Sequence, residues 1–282
     1  MRSEVDGWVA MSLCNRYYAI DEQLKMLTHS KVRAKILLCL REGAKNAGEL
    51  ERALGTRTTT ILHAIKNMTE GGLVEKADLG SKYSLTNIGK IQALILDNLL
   101  TSVGVLDQYR NFWQSHDISG IPEELLGTIW MLGQSEIIKD DLASPLGSLE
   151  NFVTELTNSK EIHGVSPFII SGFTEAIAIS IRRGAKVDLI LTDDILKILS
   201  KDYHDLLREL LRYENFRLYH IDLDIKVAFT VTNTLLSMGL YYKLDGNYDL
   251  GNDLICVGES AIKWGLELFE YYRNMSELIE HI

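Results

Sequence analysis

Between residues 46 and 85 the apolar positions follow helical spacing twice and then give way to short alternating runs. Leu50, Ala53 and Leu54 line one side of a first short helix, with Asn46 as its cap and Glu49 three residues on, a capping-box pattern with Asn in the Ser/Thr place. Gly55 permits a sharp turn into the next helix. That second helix, over 58–70, has Ile61, Ile65 and Met68 on one side. At ~100° per residue Thr59, His63, Lys66 and Glu70 fall on the other, with Asn67 at its edge. Gly71 and Gly72 stop the helix, and strands at 73–76 and 82–85 flank a turn of Asp78, Leu79, Gly80 and Ser81. Helix, tight turn, helix and hairpin make the plan of a winged helix-turn-helix.

Residues 1–16 are weakly patterned and read either as a loose arm or as a packing segment. Ile20, Leu24 and Leu27 predict a short helix over 18–28. Ser30 caps an amphipathic helix through Val32, Ile36, Leu37 and Leu40, which Gly43 ends. After the hairpin, Thr86 caps a helix through Ile88, Ile91, Leu94, Ile95 and Leu99, and 94–115 reads as one long helix or two broken ones. Its stripe of Leu96, Leu99, Leu100, Val103 and Leu106 packs either on its own domain or on a second copy. Two-fold readers on paired half-sites are the common solution, so a homodimer is expected.

From His116 onward strands and helices alternate. The runs IHGVSPF, VDLILT and FRLYHI read as strands, separated by a helix ending at Gly184, a helix over ILKIL and a helix over 203–213. That order predicts an α/β sheet with a parallel portion. From His220 to Val231 apolar residues alternate with His220, Asp222, Asp224 and Lys226, predicting a strand with one polar face. One His and two carboxylates at such spacing suit a metal or a polar ligand; a solvated edge or a turn at 222–224 explains the same residues. Turns at Asp245-Gly246 and Gly251-Asn252 and a last amphipathic helix over 259–274 complete the chain.

The expected organisation is an arm and packing helix over 1–29, a winged helix-turn-helix over 30–93, a connector and dimerisation helix over 94–116, and a mixed α/β sensor domain over 117–282. Charge sharpens this division. The chain carries −10 overall, yet residues 28–90 hold eleven Lys/Arg against six Asp/Glu, a net of +5. Residues 101–282 hold fifteen against twenty-eight, a net of −13. A basic module joined to an acidic one implies that only the first meets phosphate. Expected contacts to double-stranded DNA are Arg57, Thr58, Thr59, His63, Lys66 and Asn67 on the second helix, with Lys76, Ser81 and Lys82 on the hairpin. A plain solvated face is the alternative for the helix, but it leaves the basic hairpin beside it unexplained.

The three cysteines, Cys14, Cys39 and Cys256, are far apart and form no metal-binding pair. Cys39 reads as core, and a redox switch at Cys14 or Cys256 is the alternative to simple burial. No apolar run approaches the ~20 residues of a membrane span, so a cytoplasmic protein without a membrane partner is expected.

The run LERALGTRTTTILHAIKNMTEGGLVEK resembles the core of archaeal and bacterial winged-helix transcription regulators over 30–90, on Gly55, Thr59–Ile61, Met68 and Gly72-Leu73-Val74. The resemblance implies a recognition-helix role for Thr58, Thr59, His63, Lys66 and Asn67, with a departure at His63, where Arg is common. The runs HDISGIPEEL, RRGAKVDLILTDDIL and LYYKLDGNYDLGNDLICVGESAIKWGLELFEYYR resemble the C-terminal domain of archaeal methanogen regulators over 115–274. That resemblance implies a transcriptional regulator whose second domain senses a signal or mediates assembly. The sheet order is also similar to phospholipase D-like sensor domains of sugar-responsive archaeal regulators. Catalysis in that fold needs His-x-Lys with a downstream Asp, twice. Here His220 and Lys226 are six apart with no second copy, so a binding domain without hydrolase activity is expected.

The leading function is thus a DNA-binding transcriptional regulator modulated by an effector or partner. Its candidate effector residues are Ser166, Ser171, Asp193, His220 and Lys226, at strand ends or on a polar strand face. A constitutive DNA-binding and dimerisation protein is the second reading, and an enzyme with an accessory reader is the third. Against the third, His163, His204 and His220 are scattered and no nucleophile elbow or P-loop occurs. No catalytic residue, metal site or cofactor is expected.

Overall fold

A computed structural model describes residues 10–77, 80–139, 147–168 and 172–280. The chain divides into two compact units, Met1–Leu100 and Thr101–Ile282. The division falls inside a helix, Asn87–Gln108, rather than at the ends of a separate connector.

The first unit opens with α1 (Leu13–Ala19) and α2 (Asp21–Thr28), two helices broken at Ile20 where the pattern predicts one. Then come α3 (Lys31–Arg41), β1 (Lys45–Asn46), α4 (Ala47–Leu54), α5 (Thr58–Glu70), β2 (Val74–Lys76), β3 (Lys82–Leu85) and α6 (Asn87–Gln108). The Ser30 hydroxyl accepts from the Arg33 amide at 3.3 Å, as an N-cap should. The three strands form a sheet of order β1-β3-β2. Ile36, Leu37, Leu50, Ile61, Met68 and Val74 are its most deeply buried apolar residues, with Ala93 of α6 beside them. Gly89 lets α6 start against the hairpin, because a Cβ there would collide with the Leu73 carbonyl.

The helix α6 runs unbroken for 22 residues at a mean hydropathy of 1.2 in its most apolar window, long and apolar enough to cross a membrane by length and composition. Gln92, Asp97 and Asn98 interrupt it in sequence, which is why no continuous apolar run is visible there. Ala93 and Leu96 point into the first core, whereas Ile88, Ile91, Ile95, Leu99, Val103 and Leu106 are 44–59% exposed.

The second unit continues with α7 (Arg110–Ser115), β4 (His116–Asp117), α8 (Glu123–Leu126), a 3-10 turn at Ile129–Leu132 and β5 (Ser135–Lys139). Next are α9 (Gly147–Asn158), β6 (Glu161–Ser166), α10 (Phe173–Arg182), β7 (Lys186–Thr192), α11 (Asp193–Asp202), α12 (His204–Leu210) and β8 (Phe216–Ile221). The end is β9 (Val227–Thr232), β10 (Leu235–Tyr242), β11 (Asn252–Val257), α13 (Glu259–Arg273) and β12 (Glu277–Leu278). The main sheet runs β12-β8-β7-β6-β9-β10-β11-β5, with β4 joined to β10. Only β6, β7 and β8 pair in parallel; the rest of the ladder is antiparallel. Helices α9 to α12 share an apolar cluster with one face, through Ile162, Val187 and Leu218. On the other face α13 packs Trp264, Leu268 and Phe269 against Val231, Leu236 and Leu254. A mixed α/β domain is therefore what forms.

The single strand predicted over 220–231 does not exist. β8 ends at Ile221, residues 222–226 form a connection, and β9 begins at Val227. His220, Asp222 and Asp224 therefore share no strand face. Alternation alone cannot tell a strand from a turn that happens to alternate.

Candidate nucleic-acid interface

Local chemistry builds the helix pair and hairpin of the first unit. The Asn46 side chain accepts from the Glu49 amide at 2.9 Å, and the Glu49 carboxylate accepts from the Asn46 amide at 2.7 Å. That second bond holds the Glu49 carboxyl below its usual range. Gly55 ends α4 in the left-handed region at φ 61°, where a side chain would be strained. Three residues later α5 begins, and its buried stripe is Ile61, Ala64, Ile65 and Met68.

The exposed face of α5 carries Thr59, Thr60, Leu62, His63, Lys66 and Glu70, with Thr58 and Asn67 partly covered. Leu62 is 42% exposed in the middle of that face, where an apolar residue could meet a thymine methyl. Sequence reasoning passes over Leu62 because apolar residues default to the core. Arg57 stands exposed at the helix start. Thr58 is placed differently from expectation. Its amide donates to Glu51 at 3.3 Å and its hydroxyl also donates to Glu51, so Glu51 of α4 caps α5 and the Thr58 hydroxyl is engaged inside the turn.

The hairpin pairs Val74 with Leu85, Glu75 with Ser84 and Lys76 with Tyr83. β1 adds to its far side, Lys45 opposite Tyr83 and Asn46 opposite Lys82. Ser81 is exposed beside Gly80, and residues 78 and 79 of the turn lie outside the described residues. Lys82 Nζ stands 3.8 Å from Glu49 and Lys66 Nζ 3.9 Å from Glu70, both largely exposed. Such pairs exchange readily with water. Among the described residues Arg57, His63 and Lys76 form no ion pair. Helix face and hairpin thus present cations, hydroxyls, an amide and an imidazole, with Glu70 beside Lys66 and Glu49 beside Lys82 as the nearby acidic groups.

Of the candidate effector residues, only His220 and Asp193 are in direct contact among the described residues. His220 Nδ1 and Asp193 Oδ1 are 2.8 Å apart. Lys226 pairs with Asp224 at 2.7 Å and lies 5.5 Å above the Tyr241 ring. Ser166 donates to the Phe168 carbonyl at 2.6 Å and lines a cavity that Asp193, His220 and Lys226 do not line. Ser171 lies outside the described residues. Cys256 is fully buried and burial pushes its thiol up to about 12, which removes it as a redox switch; Cys14 is exposed.

The second unit holds two buried polar clusters instead. Asp188, 2% exposed, accepts from Arg217 Nε and Nη2 at 2.6 and 2.7 Å, and His163 Nδ1 stands 3.3 Å away at ion-pair distance. Burial pushes the Asp188 carboxyl up, but His163 and Arg217 outweigh it and hold it at about 2. His116 Nε2 lies 3.0 Å from Asp249 and Nδ1 2.7 Å from the Phe112 carbonyl, with the ring stacked on Tyr242 at 4.6 Å. Both clusters tie residues distant in sequence, and Arg217 of the first also lines a surface hollow with Lys186, Glu214 and Asn215.

Comparison with known proteins follows the same division. Residues 21–104 match the model of the N-terminal domain of methanogenesis regulatory protein FilR1, and residues 145–275 match its middle domain. A curated relative, methanogenesis regulatory protein FilR1 of Methanothrix harundinacea (strain 6Ac), is 39% identical over 269 residues. That alignment takes in 92% of this chain, which spans 58% of the relative's length. Among solved structures, the archaeal chromatin protein TrmBL2 is similar at TM-score 0.42 and 15% identity, covering 87% of this chain and 92% of that one. The phospholipase D family member Nuc from Salmonella typhimurium is similar at TM-score 0.40 and 10% identity, covering 52% and 98%. Scores this low carry nothing about function. The two domain matches and the relative agree with each other, and the chain belongs to the family of methanogenesis regulatory protein FilR1, whose N-terminal and middle domain models it matches.

Proposed function

We propose that this chain is a DNA-binding transcriptional regulator whose first unit is a winged helix-turn-helix reader. The observation that carries the reading is the α5 face: a helix anchored by four buried apolar residues presents Thr59, His63, Lys66 and Asn67 beside a hairpin that carries Lys76 and Lys82. In this reading α5 enters a major groove. Arg57, Lys76, Ser81 and Lys82 fix its register on phosphates, and Thr58 acts as part of the turn. The net charge of +5 over 28–90 within a chain of −10 supports the same assignment. So does the relative's name as a regulatory protein of methanogenesis. The reading assigns no reaction to either unit.

The exposed stripe of α6 supports a homodimer. Ile88, Ile91, Ile95, Leu99, Val103 and Leu106 recur at three- and four-residue spacing along one face, a length of ~27 Å at 1.5 Å per residue. A second copy presents the same stripe, so a two-fold helix pair buries both at once. An effector in the second unit would act by favouring one dimer geometry over another.

Fluorescence anisotropy with host-genome duplexes selected by retention on the chain tests the reader. Arg57→Ala, Lys76→Ala and Lys66→Ala should each weaken binding, and every cation that no longer meets a phosphate should lower the salt slope by about one. Unchanged affinity in the triple variant would mean that DNA, if bound at all, is bound elsewhere.

A further inference from the structure

We infer that the second unit carries a binding site for a small molecule with an apolar body and one neutral or cationic hydrogen-bonding head. The inference rests on the reading of this unit as the effector-binding half, and it gives that reading a place and a ligand class. Its origin is an asymmetry between the two faces of β9, β10 and β11. Toward α13 the strands present Val227, Val231, Leu236, Met238, Leu240 and Leu254, all fully buried. On the other face, the residues beneath the neighbouring helices are small or polar: Ala228, Thr230, Ser237, Gly239 and Asp253. A sheet face of small residues cannot fill the space under the neighbouring helices. A cavity of about 360 Å³ remains there, within the range of small-molecule sites.

The cavity has an apolar wall and a polar end. Phe152 and Leu156 of α9, Phe173 and Ile177 of α10, Leu199 of α11 and Leu206 of α12 form the wall. At the polar end Tyr248 lies across Gly239, where a Cβ would collide with its hydroxyl. That hydroxyl donates to Asp253 at 3.3 Å, and burial with the nearby Asp253 charge pushes the phenol pKa up, keeping it a neutral donor. The Thr230 and Ser237 hydroxyls also line this end, and no hydrogen bond engages either among the described residues. Ser237 is only 8% exposed. Unengaged hydroxyls beside an apolar wall are placed to fix one end of an amphipathic guest. The Asp253 carboxylate selects among heads. It favours an amine or a hydroxyl and opposes a carboxylate, as does the net −13 of residues 101–282.

The test uses the full chain and three probes of equal length: 1-octanol, octylamine and octanoate. Titration calorimetry should show saturable binding of one octanol or octylamine per chain, and both should raise the thermal unfolding midpoint. Octanoate should bind at least about tenfold more weakly. Ser237→Leu fills the polar end and should abolish octanol binding, its own unfolding transition confirming that it folds. Asp253→Asn should leave octanol binding in place and bring octanoate close to it, which keeps the test alive if Ser237→Leu does not fold. Absence of saturable binding, binding indifferent to a folded Ser237→Leu, or a preference for octanoate overturns the site. Anisotropy with duplex in the same samples separates the two readings. A chain that binds octanol but not DNA loses the reader and keeps the cavity site; one that binds DNA but no probe loses the cavity site alone.

Discussion

Asp188 ties the stability of the second unit to pH through one buried carboxylate. Its folded value of about 2 lies below the ordinary 3.8. A depressed carboxylate contributes stability that is fully present above its unfolded value and lost as pH falls through its folded one. The window is therefore from about pH 4 down to about pH 2, and at about 1.4 kcal/mol per pH unit the loss is on the order of 2 kcal/mol. Urea unfolding at steps across that window should show it. Asp188→Asn should start less stable at neutral pH, because Arg217 loses its partner, and should flatten this part of the slope. A variant whose slope matches the parent would exclude Asp188 as the source. The cluster is invisible in sequence, since His163, Asp188 and Arg217 lie 25 and 29 positions apart. The Asn46–Glu49 capping box is visible, because both of its hydrogen bonds close within one helical turn.

At the scale of elements, α5 owes its start to another helix. Arg57, its N-cap residue, makes no side-chain cap hydrogen bond, and Glu51 of α4 receives the Thr58 amide and hydroxyl instead. Removing a cap costs about 1 kcal/mol, so Glu51→Ala should destabilise the chain by roughly that amount in urea unfolding. Thr58→Ala should add little on top of it, since both remove one interaction. Fully additive losses would show that the two residues act separately. Sequence periodicity placed α3, α4, α5 and the hairpin well because each buries a face at its own period. It missed β1, whose two residues have no pattern and become a strand only by pairing with β3. It also extended a strand through 222–226, where alternation continues but no neighbour pairs.

At the scale of the molecule, the stripe on α6 is an extended exposed apolar face among the described residues. Large exposed apolar patches mark association sites. Sedimentation equilibrium should find a dimer, and Ile95→Glu with Leu99→Glu should give a folded monomer that binds duplex more weakly. A parent chain that stays monomeric where it binds duplex would remove the dimer from the mechanism. The sequence already contained the stripe at Leu99, Val103 and Leu106. It could not say which apolar residues of α6 point inward, because Ala93 and Leu96 are distinguished from Ile91 and Ile95 only by what packs beside them.

By itself the sequence determined the elements of the first unit, their caps and turns, the charge division and the family, all carried by local spacing and composition. Only the tertiary structure decided the rest. It gave Thr58 to the turn, separated Ser166 from Asp193, His220 and Lys226, and dissolved the 220–226 strand. It also assembled a cavity from residues spread over 152–253. The physical reason is common to all four: each depends on which groups meet between separate strands and helices, and neither periodicity nor propensity records that.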